Sequence, residues 1–100
     1  MGKASRDKGK CGEREFASFL RGMGVEARRG VQFQGGPDSP DVVSDLPYHI
    51  EVKRTEKLSL YPALEQAADE APEGVPPIVA HRRNNKEWVI VMYAKDWLDG

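Results

Sequence analysis

The sequence predicts a mixed α/β domain in which helices flank a mixed β-sheet. The chain has 100 residues, which is enough for one modest hydrophobic core. Its 39% hydrophobic and 31% charged residues are typical of a globular protein. Segments rich in β-branched residues alternate with helical patterns in the order α-β-β-β-α-β-β-(α). We therefore treat residues 1–100 as a single domain.

The N-terminal third of the chain predicts a helix followed by a strand. The helical pattern runs from Cys11 to about Gly22, where glycine is typical of a helix C-terminus. A strand pattern extends over residues 25–33. Residues 1–9 are polar and basic, and we expect a flexible arm there, whereas residues 34–39 are rich in Gly, Pro and Asp and predict a loop.

Glu13 is placed unusually on the first predicted helix. At 100° per residue it lies in the middle of the apolar face that Phe16, Ala17 and Leu20 flank, whereas Glu15 lies on the far side. An acid centred on an apolar face often marks a functional site. A glutamate near a helix N-terminus also suits the helix dipole, so both interpretations stay open.

Residues 40–53 predict a β-hairpin. Their sequence, Pro-Asp-Val-Val-Ser-Asp-Leu-Pro-Tyr-His-Ile-Glu-Val-Lys, places β-branched residues on both sides of a tight turn at residues 45–47. Successive side chains of a strand point to opposite faces. Glu51 and Lys53 therefore share one face of the second strand, and the apolar residues beside them take the other.

The predicted register of this hairpin brings charges together. If the hairpin closes around Leu46, Asp41 lies opposite Glu51, with Cβ atoms about 4.5–5.5 Å apart. Two such carboxylates beside the Lys53 ammonium pack poorly, but they suit a hard divalent cation such as Mg²⁺ or Mn²⁺. A solvated Glu-x-Lys pair on an exposed strand is the simpler alternative. His49 shares this face and could touch such a site, but we expect it at the surface.

The C-terminal half of the chain predicts a helix, a second hairpin and a short closing helix. Ser59 is a suitable N-cap for a helix that runs to about Ala71. We expect Trp97 and Leu98 in the closing helix to pack back on the core. The remaining predicted elements are the strands Ile78–His81 and Trp88–Met92, the turn Asn84–Asn85 and the closing helix Ala94–Leu98.

Charge is distributed unevenly along the chain, although the net charge is only −1. Residues 1–33 carry eight Lys and Arg against four Asp and Glu, whereas residues 58–77 carry four acids and no base. A clustered basic surface can hold the phosphates of a nucleic acid even on a nearly neutral protein. The candidate phosphate-binding residues are Lys8, Lys10, Arg14, Arg28, Arg29, Arg54, Lys57, Arg82 and Arg83.

Several classes of protein are disfavoured by the sequence. Cys11 is the only cysteine, which excludes an intrachain disulfide and a thiolate zinc site. No apolar run approaches the roughly 18 residues of a membrane span, and the N-terminus has no hydrophobic signal core. We therefore expect a cytoplasmic protein.

Taken together, these elements resemble the PD-(D/E)xK nuclease superfamily, and most of all the small archaeal-type and phage Holliday junction resolvases. The resemblance extends from Lys10 to Leu98 and implies a restriction-endonuclease-like core. The matching elements are the Gly-Glu-Arg-Glu-Phe helix, the Pro-Asp-Val-Val strand, Ile-Glu-Val-Lys, the Ala-Leu-Glu-Gln-Ala helix and the Trp88–Met92 strand.

The resemblance also implies roles for individual residues. By it, Asp41, Glu51 and Glu13 bind the metal, Lys53 is the catalytic lysine, and Gln66 matches a glutamine on the second helix of such enzymes. The implied activity is Mg²⁺-dependent hydrolysis of DNA phosphodiesters, and the products carry a 3′-hydroxyl and a 5′-phosphate. Mn²⁺ is expected to substitute for Mg²⁺. The implied context is DNA recombination and repair in a bacterium, an archaeon or a phage. Because resolution of a four-way junction needs cuts in two strands related by two-fold symmetry, we expect a homodimer.

Three alternatives stay open at this stage. The Pro-Asp pair is duplicated, and we choose Asp41 over Asp38 because Asp41 adjoins the strand. A related nuclease could act on flaps, ends or mismatched duplex DNA. A DNA-binding module without cleavage could also use this fold, although it would not need the full set of acids and the lysine.

Overall fold

The computed structural model describes residues 2–30 and 40–99, with side chains from residue 11 onward. A five-stranded mixed sheet lies between helices, and the predicted order of elements is confirmed. The elements are α1 (Gly2–Gly22), β1 (Ala27–Arg29), β2 (Val42–Ser44), β3 (His49–Arg54), α2 (Leu60–Glu70), β4 (Pro77–Arg82), β5 (Val89–Val91) and α3 (Ala94–Asp99).

The strands lie in the sheet in the same order as in the chain, from β1 to β5. Neighbouring strands are antiparallel except β3 and β4, which are parallel and are connected through α2. Val42 pairs with Ile50, which is the register of a hairpin centred on Leu46. The predicted hairpin and its register are therefore confirmed.

The two faces of the sheet carry separate hydrophobic clusters. On one face α1 contributes Phe16, Ala17 and Leu20 to the larger cluster, together with alternate residues of the central strands such as Ile50 and Ile78. On the other face α2 contributes Ala63, Leu64 and Ala67, which pack with Val79. The small side chains of α2 allow this helix to lie close to the sheet.

Two expectations about the ends of the chain are wrong. Helix α1 begins at Gly2 rather than Cys11, so most of the segment expected as a flexible arm is helical. Its Lys, Arg and Ala residues favour helix, and it contains no proline. In α3, Trp97 and Leu98 are 67% and 76% exposed rather than packed on the core.

Gly12 allows α1 to approach the sheet. A Cβ atom at this position would lie 2.6 Å from the Cβ of Arg54 on β3, a distance that carbon atoms do not tolerate. Residues 31–33 of the predicted first strand and the loop 34–39 lie outside the described residues. Within residues 2–30 and 40–99, no helix is long and apolar enough to cross a membrane.

Candidate active site

Asp41 lies at the point where the β2–β3 ladder begins. Its backbone N–H donates to the Ile50 carbonyl at 2.9 Å, which continues the register of the hairpin. The Val52 N–H donates to the Asp41 carboxylate Oδ2, also at 2.9 Å. The backbone of β3 thus fixes the position of this side chain. Asp38, the alternative acid, lies outside the described residues.

Glu51 and Lys53 share the face of β3 that is directed toward α2, as the alternation of the strand predicts. Glu51 is only 3% exposed, which is unusual for an acid. The Lys53 ammonium donates to the Gln66 Oε1 on α2 at 3.2 Å. The structure therefore brings together all three hairpin residues that the sequence singled out, and it adds Gln66 from the second helix.

The electrostatic environment of the two carboxyl groups is unfavourable for their charged forms. The pKa of Asp41 is raised from 3.8 to about 6, chiefly by burial and also by the nearby charge of Glu13, although the Val52 hydrogen bond and Lys53 oppose the shift. Burial also raises the pKa of Glu51 well above its usual range, assisted by Asp41 and Glu70. A cation between these groups would relieve the cost of ionising both.

Glu13 reaches the same region from α1. Its Oε1 accepts a hydrogen bond from Arg29 Nε on β1 at 2.9 Å, and its charge acts on Asp41. The side chain is about one-fifth exposed, so it lies at the edge of the core rather than inside it. The position on the inward side of α1 agrees with the predicted helical phase.

Two further residues lie at this site: Glu70, which sequence reasoning missed, and His49, which it expected at the surface. Glu70 on α2 forms a side-chain hydrogen bond with Glu51, and His49 lies with its Nε2 3.6 Å from Glu51 Oε2. His49 is 2% exposed, so the expectation of a surface histidine is wrong. Glu70 follows the buried Ala63 by two helical turns, and this spacing could have identified it.

The basic candidates fall into two groups in the structure. Arg14, Arg28 and Lys57 are exposed, whereas Arg54 and Arg82 form ion pairs with Glu15. Glu15, which the helical phase placed on an uninvolved side, thus links α1 to the ends of β3 and β4.

The remaining basic candidates are placed in part. Arg83 lies 3.9 Å from Glu56, so this arginine also has an acidic neighbour. Arg29 pairs with Glu13, as described above. The side chains of Lys8 and Lys10 lie outside the described part of the chain. Among the described candidates, the exposed residues that could meet a phosphate first are therefore Arg14, Arg28 and Lys57.

The donor set suits a hard divalent cation. Asp41 and Glu51 offer carboxylate oxygens that are buried beside each other, and Lys53 places a positive charge next to them. Oxygen ligands of this kind are the ones that Mg²⁺ and Mn²⁺ prefer. With a cation in place, such a site can activate a water molecule and stabilise a phosphate that is being transferred.

Comparison with known proteins gives one family. The family model described as "Archaeal holliday junction resolvase (hjc)" matches residues 4–96. Among solved structures, the Hjc Holliday junction resolvase of the archaeal hyperthermophile Archaeoglobus fulgidus superposes with a TM-score of 0.63 at 27% sequence identity. The match covers 85% of this chain and 72% of that one. No curated protein sequence matches the chain.

Proposed function

This chain belongs to the archaeal Holliday junction resolvase (Hjc) family. We propose that it is a Mg²⁺-dependent endonuclease that cuts four-way DNA junctions, and that Asp41, Glu51 and Lys53 form its active site. Membership of this family makes the protein a nuclease of the resolvase type, as the sequence resemblance predicted. The proposal adds the cation, the residues that carry the chemistry and the oligomeric state.

The observation that carries the proposal is the convergence of the buried Glu51, the half-buried Asp41 and Lys53 on one strand pair. Asp41 and Glu51 lie opposite each other, and burial disfavours the charged forms of both. The charge of Asp41 further raises the pKa of Glu51, and the charge of Glu13 raises that of Asp41. Such an arrangement weakens the fold unless a positive ion compensates it. Mn²⁺ should replace Mg²⁺, because both ions accept oxygen ligands.

The residues of the chain act around the bound ion. A divalent ion supplies a water of lowered pKa and positive charge beside the phosphate. That ion would be held by Asp41 and Glu51, and Glu13 would complete the acidic set. The Val52 N–H orients the Asp41 carboxylate. Lys53 would place its ammonium beside the phosphate as charge develops there, and Gln66 holds the Lys53 side chain in position.

We further propose that the active form is a symmetric homodimer. Resolution of a four-way junction needs cuts in two strands that are related by two-fold symmetry, and the proposed site occurs once in the described chain. An isologous dimer provides two sites in this relation. Val89 on β5 and Trp97 and Leu98 on α3 are exposed apolar residues that suit such an interface. Sedimentation at micromolar concentration tests this: a dimer supports the proposal, and an 11 kDa monomer that makes paired cuts contradicts it.

A cleavage assay tests the activity. The full chain is incubated with Mg²⁺ and a labelled four-way junction, beside a linear duplex of matched sequence. We expect paired cuts in the junction, little cleavage of the duplex and no cleavage in EDTA. Equal cleavage of both substrates would favour a nuclease for other DNA structures, and binding without cleavage would favour a DNA-binding module.

A further inference from the structure

Three potential metal ligands meet between β3 and α2. The ligand atoms of His49, Glu51 and Glu70 all lie within 4.8 Å of one another. His49 and Glu51 are 2% and 3% exposed, and Glu70 is half-buried. Of the three, only Glu51 belongs to the proposed Mg²⁺ site, so the other two groups have no role in the cleavage chemistry described above.

The spacing of these atoms suits a single ion. His49 Nε2 and Glu51 Oε2 are 3.6 Å apart. Two ligand atoms about 2.1 Å from one ion, at an angle of roughly 90–120°, are separated by about 3.0–3.6 Å. Glu70 can close the remaining gap because its carboxylate ends an unbranched side chain on the flank of α2.

The charges around this cluster also favour an ion. The carboxylate oxygens of Glu51 and Glu70 lie within 4.8 Å of each other and of the His49 ring nitrogen, so two acids face one small space. Asp41 adds a third carboxyl group nearby, and Lys53 opposes them from the same face. Burying several acids together is unfavourable unless protons or a metal ion neutralise them.

We propose that His49, Glu51 and Glu70 form a second cation site that binds a first-row transition-metal dication in preference to Mg²⁺. The imidazole nitrogen sets the preference, because Mg²⁺ selects oxygen ligands whereas transition metals accept nitrogen. Glu51 would be shared between the two sites, and only in this respect does the inference rest on the proposed function. An ion held by α2 and β3 would fix the Glu51 carboxylate beside Asp41.

Electron spin-echo spectroscopy of the full chain with Mn²⁺ alone tests this site. Mn²⁺ bound to an imidazole shows a modulation from the nitrogen-14 nucleus, whereas Mn²⁺ bound only to oxygen does not. We expect this modulation in the wild-type protein and its loss in His49→Gln. The chain contains two histidines, so His81→Gln is the matched control and should retain the modulation.

A second variant and a titration complete the test. Glu70→Gln should weaken Mn²⁺ binding at this site by roughly 10–100-fold. Calorimetric titration should show about two Mn²⁺ ions per wild-type chain and about one in His49→Gln. Absence of the nitrogen signal from wild-type protein with bound Mn²⁺ would overturn the proposal, even if His49→Gln failed to fold. Persistence of the nitrogen modulation in a folded His49→Gln protein would also overturn the proposal.

The spectroscopic test is independent of nuclease activity. It uses no DNA, so a protein that shows the nitrogen signal and fails to cut a junction would refute the proposed function while supporting this site. Cleavage of junctions by a protein without the nitrogen signal would give the opposite result. The two proposals can therefore fail separately.

Discussion

The two faces of β3 have opposite chemistry, although the residues that form them alternate along one strand. On the α1 side Ile50 and Val52 are buried in the larger hydrophobic cluster. On the α2 side the same strand buries His49 and Glu51 and directs Lys53 toward Gln66. The first face stabilises the fold, whereas the second holds charged groups where hydrophobic contacts would be more favourable. This difference indicates that the α2 face is maintained for its chemistry.

The largest expected effect is on cleavage, from a change on the α2 face. We expect Glu51→Gln to lower junction cleavage by at least about 10³-fold, because an amide cannot replace a carboxylate as ligand of the ion. The metal-free variant should be as stable as the wild type or more stable, since glutamine removes a buried acid whose charged form is disfavoured by burial and by Asp41. Single-turnover cleavage rates and urea denaturation in EDTA measure the two quantities.

The neighbouring residue on the other face provides the matched control. Ile50 is fully buried, and Ile50→Ala should lower the free energy of unfolding by about 2–5 kcal/mol. At a temperature where this variant remains folded, its cleavage rate should stay near that of the wild type. If Glu51→Gln lost stability and Ile50→Ala lost only activity, the assignment of the two faces would be wrong.

A smaller effect is expected in the pH dependence of stability. The pKa of Asp41 is raised to about 6 in the folded protein, so the folded state holds this proton more tightly than the unfolded state. A raised carboxyl pKa stabilises the fold while the group is protonated, and this contribution is lost as the pH rises through about 6. We expect metal-free wild-type protein to lose about 2–3 kcal/mol between pH 4 and pH 7 relative to Asp41→Asn.

The control for this measurement is the exposed carboxylate in the hairpin turn. Asp45→Asn should leave the wild-type pH dependence unchanged, because Asp45 lies at the surface. Saturating Mg²⁺ should reduce the loss, since an ion that binds the charged form stabilises the folded state. A metal-free wild-type protein that became more stable over this pH range would contradict the environment assigned to Asp41.

The sequence predicted most of what depends on local geometry. The register of the hairpin follows from its turn, and this register placed Asp41 opposite Glu51. The alternation of the strand placed Lys53 on the same face as Glu51. The register placed His49 on the same face but did not show that this residue is buried, and it says nothing of Glu70, whose contact with Glu51 depends on which flank of α2 lies against β3. Glu15 was misjudged for a related reason. Its partners Arg54 and Arg82 lie 39 and 67 positions away in the chain.

The smallest expected effect concerns Glu15 and distinguishes a structural acid from a functional one. Its carboxylate accepts hydrogen bonds from Arg54, at 3.1 Å, and from Arg82, and so ties α1 to β3 and β4. Because these groups are partly exposed, Glu15→Gln should cost only about 1 kcal/mol of stability, less at high salt. Glu13→Gln is the matched change on the same helix, and it should slow junction cleavage by roughly 10²-fold or more. Cleavage rates and urea denaturation of the two variants separate the roles. Equal losses of cleavage would mean that the arginines held by Glu15 act on the DNA, and that the functional region extends to the α1 face.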